Sequence, residues 1–154
     1  MSDLTQNKNY LSPAGYKVNI DQSRFANLEY FCVNAKIPSI TLDKAPLDFR
    51  NNRYGTTGDK IDWGSLDIKF IVDEEMKDYL ELLGWLTDNW KQDVITKSDI
   101  ILTIHTSKNN LARRIRFVDA YPISIGEINF DSQNTEIQHL TVDAQFGYSY
   151  FEFL

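Results

Sequence analysis

The stretch Gly58–Leu86, GDKIDWGSLDIKFIVDEEMKDYLELLGWL, decides the fold. From Leu66 its residues alternate. Leu66, Ile68, Phe70 and Val72 take one side of an extended chain; Asp67, Lys69, Ile71 and Asp73 take the other. The two-residue period stops at Asp73. Asp73 has the chemistry of a helix N-cap, and Glu74 and Glu75 bring negative charge to a first helical turn, where the helix dipole favours it. Met76, Tyr79, Leu80, Leu83 and Leu86 then recur at helical spacing, with Trp90 one turn further on, while Lys77, Asp78 and Glu81 point away. A strand therefore runs into one amphipathic helix, and Leu80 and Leu83 are expected to seat that helix on an apolar sheet face.

The flanking chain supplies such a face. Upstream, Tyr16–Ile20 and Leu28–Ala35 read as strands around a turn at Asp21–Ala26. Residues 47–72 read as one long hairpin, Leu47–Tyr54 and Lys60–Val72, turning at Gly55–Asp59. Its first arm is unusual. Leu47 and Phe49 are the only apolar residues before Tyr54, and Arg50 and Arg53 flank Asn51 and Asn52. A half-buried strand of a monomer should be more apolar, so the arm is either a solvated flap or a surface that pairs with another chain. Downstream, Ile100–Thr106 and Arg113–Tyr121 form a second hairpin, Pro122–Ser132 is a loop, and Leu140–Tyr148 is a long amphipathic strand. The expected fold is mainly β with one α-helix (α+β), an antiparallel sandwich or barrel with the helix packed on it. Residues 1–15 read as a flexible N-terminal arm, and 16–154 as a single β domain.

Composition narrows the function. The chain has 154 residues, 42% apolar and 25% charged, and a net charge of −6, which argues against the basic face of a nucleic-acid-binding module. It has no apolar run of transmembrane length and no signal-peptide core at its start. Cys32 is the only cysteine and reads as a small apolar residue. His105 and His139 have no ligand partners at metal spacing. Phosphate-loop, GxSxG and HExxH motifs do not occur. No cofactor, metal or catalytic residue is expected, and the chain reads as a structural or interaction protein rather than an enzyme.

Two ordered motifs sharpen this. Pro46, Phe49, Arg53, Gly58, Asp59 and Trp63 lead into the alternating strand and the acidic helix start, and Gly126, Glu127, Asp131, Glu136, Ile137 and Gln138 lead into the last strand. Together they resemble the tail tube proteins of contractile-tailed phages and the related baseplate tube-initiator domain, over roughly residues 25–150. The resemblance implies six subunits in a ring, rings stacked into a tube inside a sheath, and genome DNA and a tape-measure protein passing through the channel without specific binding. It implies a virion protein, assembled in the host cytoplasm on a baseplate, with no membrane role. An acidic channel wall would then keep phosphate from sticking. The candidate subunit-interface or channel residues are Asp48, Phe49, Arg50, Asn51, Asn52, Arg53, Tyr54, Asp59, Lys60, Asp62, Asp67 and Lys69. The alternatives are a baseplate initiator or adaptor ring of the same fold and, in a different class, a small-ligand-binding β-barrel.

Overall fold

The computed structural model describes residues 11, 13–20, 32–106, 108–133 and 139–154. The expected turn at Asp21–Ala26, the start of the strand at Leu28, the motif residues Glu136, Ile137 and Gln138, and most of the expected N-terminal arm lie outside the described residues.

The elements run β1 (Tyr16–Asn19), β2 (Cys32–Lys36), β3 (Ile40–Phe49), β4 (Asn52–Trp63), β5 (Leu66–Ile71), α1 (Lys77–Lys91), β6 (Ser98–His105), β7 (Leu111–Ile125), β8 (Thr141–Gly147) and β9 (Tyr150–Phe153). Seven strands form one sheet in the order β1-β6-β7-β8-β5-β2, with β9 added on β7; β3 and β4 form a separate two-stranded sheet. Every pairing is antiparallel. The described residues have the mainly β, one-helix architecture that the sequence implies. Among the described residues the sheet is not closed into a barrel, because β1 and β2 stand at the two ends of the strand order.

β7 makes the sheet curl. Its first part pairs with β6 and β9, and from Tyr121 onward it pairs with β8. The change of partner falls at Asp119, a non-glycine residue with φ 55°, whose amide donates to Asp99 Oδ1 at 3.0 Å. This hydrogen bond to the neighbouring strand β6 holds an otherwise costly left-handed backbone. The curl brings Ile100, Leu102, Ile115 and Phe117 into one core with Leu66, Ile68, Phe70, Val142, Ala144 and Phe146. Strands β5 and β8 alternate strictly between buried and less buried residues, as a half-buried strand must. Phe70, Phe117 and Phe146 are the largest fully buried side chains of this core.

Four expectations are corrected. The long hairpin turns at Arg50–Asn51, not at Gly55–Asp59, and its strands are β3 and β4. Gly55 and Gly58 lie within β4, where they permit close approach. A Cβ on Gly58 would meet the Asp43 carbonyl oxygen at 2.5 Å, beside a register shift between Leu42 and Lys44.

The helix begins at Lys77, after a left-handed Met76 (φ 54°) that supplies no side-chain cap. Asp73 still caps, through its Oδ1, which accepts the Lys77 amide hydrogen at 2.7 Å, but Glu74 and Glu75 precede the helix in a turn. Most consequentially, α1 is rotated from the expected seating. Asp78, Leu82 and Trp85 are its buried residues, while Leu80 is 58% and Trp90 80% exposed. At about 100° per residue, the stripe Met76-Tyr79-Leu80-Leu83-Leu86-Trp90 is centred roughly a third of the way round the helix from the buried face. Leu82 and Trp85 enter the core, with the Trp85 ring 5.8 Å from that of Phe146 and its Nε1 donating to the Thr96 carbonyl at 2.8 Å.

Finally, Pro122 lies inside β7 beside a register shift, so the expected loop starts only at Gly126. The C-terminus turns after Gly147 and returns as β9, where Phe151 stacks against Trp63, Phe117 and Tyr148.

Candidate subunit and channel interface

The candidate residues fall in two places. The first is the β3–β4 arm. Its root is held by the Gly64 amide donating to the Ser39 carbonyl at 2.9 Å and by Trp63 packing edge-on to Phe151 and Tyr148. Beyond that root the arm consists of two strands with exposed side chains on most of their length. At the tip Leu47 pairs with Tyr54, Asp48 with Arg53, and Phe49 with Asn52; the side chain of Phe49 lies outside the described residues. Asn52 Nδ2 donates to the Tyr54 hydroxyl at 3.1 Å. Arg50 and Asn51 form the turn, and Asp59, Lys60 and Asp62 stand exposed further down β4. The arm is more apolar than its sequence suggested. Because β3 starts at Ile40, it also carries Ile40, Leu42 and Ile61, all exposed along with Leu47 and Tyr54. Two strands alone are not stable in water without a face to cover. The described residues of its own chain leave this apolar content exposed.

The second place is the outer face of β2, β5 and β8. Here Asp67 and Lys69 join Asn34, Lys36, Asp143 and Gln145 around a shallow groove of about 310 Å³. Asp67 pairs across the sheet with Lys36 on one side and Gln145 on the other, and Lys69 Nζ lies 3.7 Å from Asp143 Oδ1. Two cations and two anions alternate, so this face is balanced rather than acidic. The structure thus separates the arm residues Asp48–Tyr54, Asp59, Lys60 and Asp62 from the sheet-face pair Asp67 and Lys69. It adds Lys36 from β2, and Asp143 and Gln145, which strand alternation in 141–147 could have supplied.

The acid lies elsewhere, at the start of the helix. Asp78 is fully buried, its Oδ1 accepting the Tyr79 amide hydrogen at 2.8 Å and its Oδ2 without a hydrogen bond. Burial, and then the neighbouring Asp73 carboxyl, push the Asp78 carboxyl up to about 6. Among the described residues no group of three or more His, Cys, Asp or Glu could hold a metal ion, and no helix is long and apolar enough to cross a membrane.

Solved structures share this fold. The tube-terminating cap of the anti-feeding prophage matches with a TM-score of 0.75 at 12% identity, over 99% of this chain and 95% of that one. A chain of the sheath–tube complex of the extracellular contractile injection system PVC matches with a TM-score of 0.70 at 15% identity, over 96% and 93%. Hcp1 from Flavobacterium johnsoniae matches with a TM-score of 0.50 at 16% identity, over 90% and 94%. No curated protein matches the sequence. The sequence itself matches the phage tail tube protein family over residues 4–154, nearly its whole length, and the chain belongs to that family.

Proposed function

We propose that the protein is the ring-forming subunit of the inner tube of a contractile tail. Six copies close a ring, rings stack, and the outer face of β2, β5 and β8 lines the channel. The observation that carries this reading is the combination of an open sheet with an outstretched arm. β1 and β2 end the strand order with one described partner each, and exposed strand edges invite pairing. Heterologous pairing of such edges between copies generates rings when the rotation closes. The arm then lies on a neighbouring copy, which covers Leu42, Leu47, Tyr54 and Ile61. A channel wall with alternating Lys36, Asp67, Lys69 and Asp143 gives a passing polyanion no cluster of cations to hold it. That fits genome DNA, preceded by a tape-measure protein, as cargo, and a tube raised on a baseplate in the host cytoplasm within the future virion.

Negative-stain electron microscopy with sedimentation of the concentrated protein, alone and co-expressed with baseplate proteins, tests this. Sixfold rings or long tubes with an open centre are expected. A compact monomer under both conditions would refute the reading. Single rings that never lengthen, even on a baseplate, would instead assign the chain to a baseplate initiator or a terminating position.

A further inference from the structure

We propose that Asp73 and Asp78 hold one proton between them, and that this proton is a latch on the junction of β5 and α1. Bound, it keeps the first turn of the helix closed; lost to solvent, it lets that turn open. The device belongs to the single subunit and is independent of the tube reading.

Between β5 and α1 the chain makes a tight turn in which the Met76 amide donates to the Asp73 carbonyl at 3.0 Å. Met76 stands at φ 54° and ψ 33°, a left-handed backbone that a methionine adopts only where its surroundings impose it. The bonds around it do so. Asp73 Oδ1 reaches across Met76 to accept the Lys77 amide hydrogen at 2.7 Å, and the Met76 carbonyl accepts the Leu80 amide hydrogen at 2.9 Å. Asp78, one residue past Lys77, is fully buried, and the Asp73 carboxyl lies beside it.

This pair is one proton short. Oδ1 of Asp78 accepts the Tyr79 amide hydrogen at 2.8 Å, but its Oδ2 is buried without a partner. Two carboxylates offer only acceptors. Doubly ionised, they leave that oxygen orphaned and set two like charges together where Asp78 has no water. A single proton removes both faults. An O–H on Asp78 donates to the Asp73 carboxylate in a charge-assisted bond, and one of the two charges is gone. Asp78 takes the proton because it is the buried member. Asp73 is half-buried and already bonded to an amide hydrogen, so it keeps the charge.

No cation stands in for the proton. Among the described residues, Asp73 is the titratable group that acts on Asp78. The strands under the helix carry Arg113, Arg114, Arg116 and Asp119 on β7 and Asp143 on β8, and none of them acts on it. At the helix start Lys77 is taken by Glu75 at 2.7 Å, in solvent. Burial, and then Asp73, hold the Asp78 carboxyl at about 6 against an ordinary 3.8. The raised value fixes the sign: the latch is complete below about pH 4 and is lost as pH rises through 6. The opened turn returns Asp78 to its ordinary value, so the opening equilibrium climbs about tenfold per pH unit across that window and levels off about a hundredfold higher.

A carboxyl-carbon NMR titration of the unassembled full-length subunit tests the shared proton. The Asp73 and Asp78 carbons should both show a step near pH 6, as members of one coupled pair do. An Asp73 carbon that moves only in the ordinary carboxylate range would overturn the proposal. Hydrogen exchange, corrected for its intrinsic pH dependence, reads the latch itself. Protection of the Lys77, Tyr79 and Leu80 amides should fall about a hundredfold from about pH 4 to about pH 7.5, while β5 and β8 amides keep theirs. A uniform fall over helix and sheet, or none at the helix start, would count against it equally. Asp78→Asn gives Asp73 a neutral donor and should hold the helix start at its acidic protection at every pH. Asp73→Asn removes the like charge but keeps an acceptor for the Lys77 amide, and it should lower the Asp78 step. An unmoved step would show that Asp78 titrates alone through burial, and the shared proton would be refuted.

Discussion

The seating of α1 yields a sharp comparison between two leucines separated by one residue. Leu82 is fully buried beneath the helix, whereas Leu80 is 58% exposed. Replacing Leu82 by alanine deletes a side chain from a core that includes Phe146 and Trp85 and leaves a cavity that the surrounding strands close only in part. Truncations of that kind cost ~2.7–5 kcal/mol, so about 3 kcal/mol is expected here. For a domain of this size each kcal/mol moves the melting temperature by about 2–4 °C, which places Leu82→Ala about 6–12 °C below the wild type. Leu80→Ala loses only partial contacts and gains slightly in helix propensity, so its cost should stay within about 0.5 kcal/mol. Differential scanning calorimetry, supported by urea titration, reads both on the unassembled subunit. Equal destabilisation by the two changes, or a larger effect at Leu80, would mean that the helix is seated on its Leu80 side and that the rotation described above is wrong.

Other expectations concern assembly and pH. Arg50→Glu with Arg53→Glu should leave circular dichroism and thermal unfolding of the subunit nearly unchanged, because exposed ion pairs contribute only ~0–1 kcal/mol, yet abolish tubes in micrographs. Normal tubes from that variant would remove the arm tip from the interface. Gly58→Val forces a side chain against the Asp43 carbonyl and should distort the arm; tube yield should drop while the melting transition of the core holds. The raised Asp78 carboxyl sets a pH trend. Its folded value of about 6 lies above the ordinary 3.8, so its contribution to stability is complete below about pH 4 and is lost as pH rises through 6. Asp78→Asn, which keeps the acceptor for the Tyr79 amide, should therefore raise the melting temperature at pH 8 and lose that advantage toward pH 4; a pH-independent difference would contradict the assignment.

The strands were legible in the sequence wherever burial was one-sided. The alternation from Leu66 marked β5 and put Asp67 and Lys69 on their correct face, but the expected Lys60–Val72 arm is broken at Gly64 and Ser65 into the end of β4 and β5. The helix was legible as a helix but not in its rotation. Periodicity ranks helix faces by how apolar they are and assumes the richest one is inside. Here Leu82 and Trp85 supply the core with two large residues next to a buried Asp78, while the richer stripe sits at the edge of the contact, with Tyr79 half-buried against the core and Leu80 and Trp90 exposed. The arm shows the same limit. Gly55 and Gly58 look like turn residues, and only the backbone shows them making room for Lys44 and Asp43 across the ladder. The true turn, Arg50–Asn51, has no glycine to announce it. β9 was hidden because four aromatic-rich residues at the end of a long strand do not reveal a reversal of direction. The arm was picked out because it looked too polar for a monomer, whereas in the structure it also carries the exposed apolar residues Ile40, Leu42, Leu47 and Ile61.

β7 gives the fold a mechanical property. A single uninterrupted backbone of 15 residues belongs first to the ladder with β6 and β9 and then to the ladder with β8. The two halves of the curled sheet are thus not merely stacked by their side chains. Any thrust that tries to slide one half past the other pulls along the covalent chain of β7 and loads several hydrogen bonds of both ladders at once, in shear. A seam joined only by a loop would unzip one bond at a time. A subunit wired in this way resists delamination when one half of its sheet is pushed against the other.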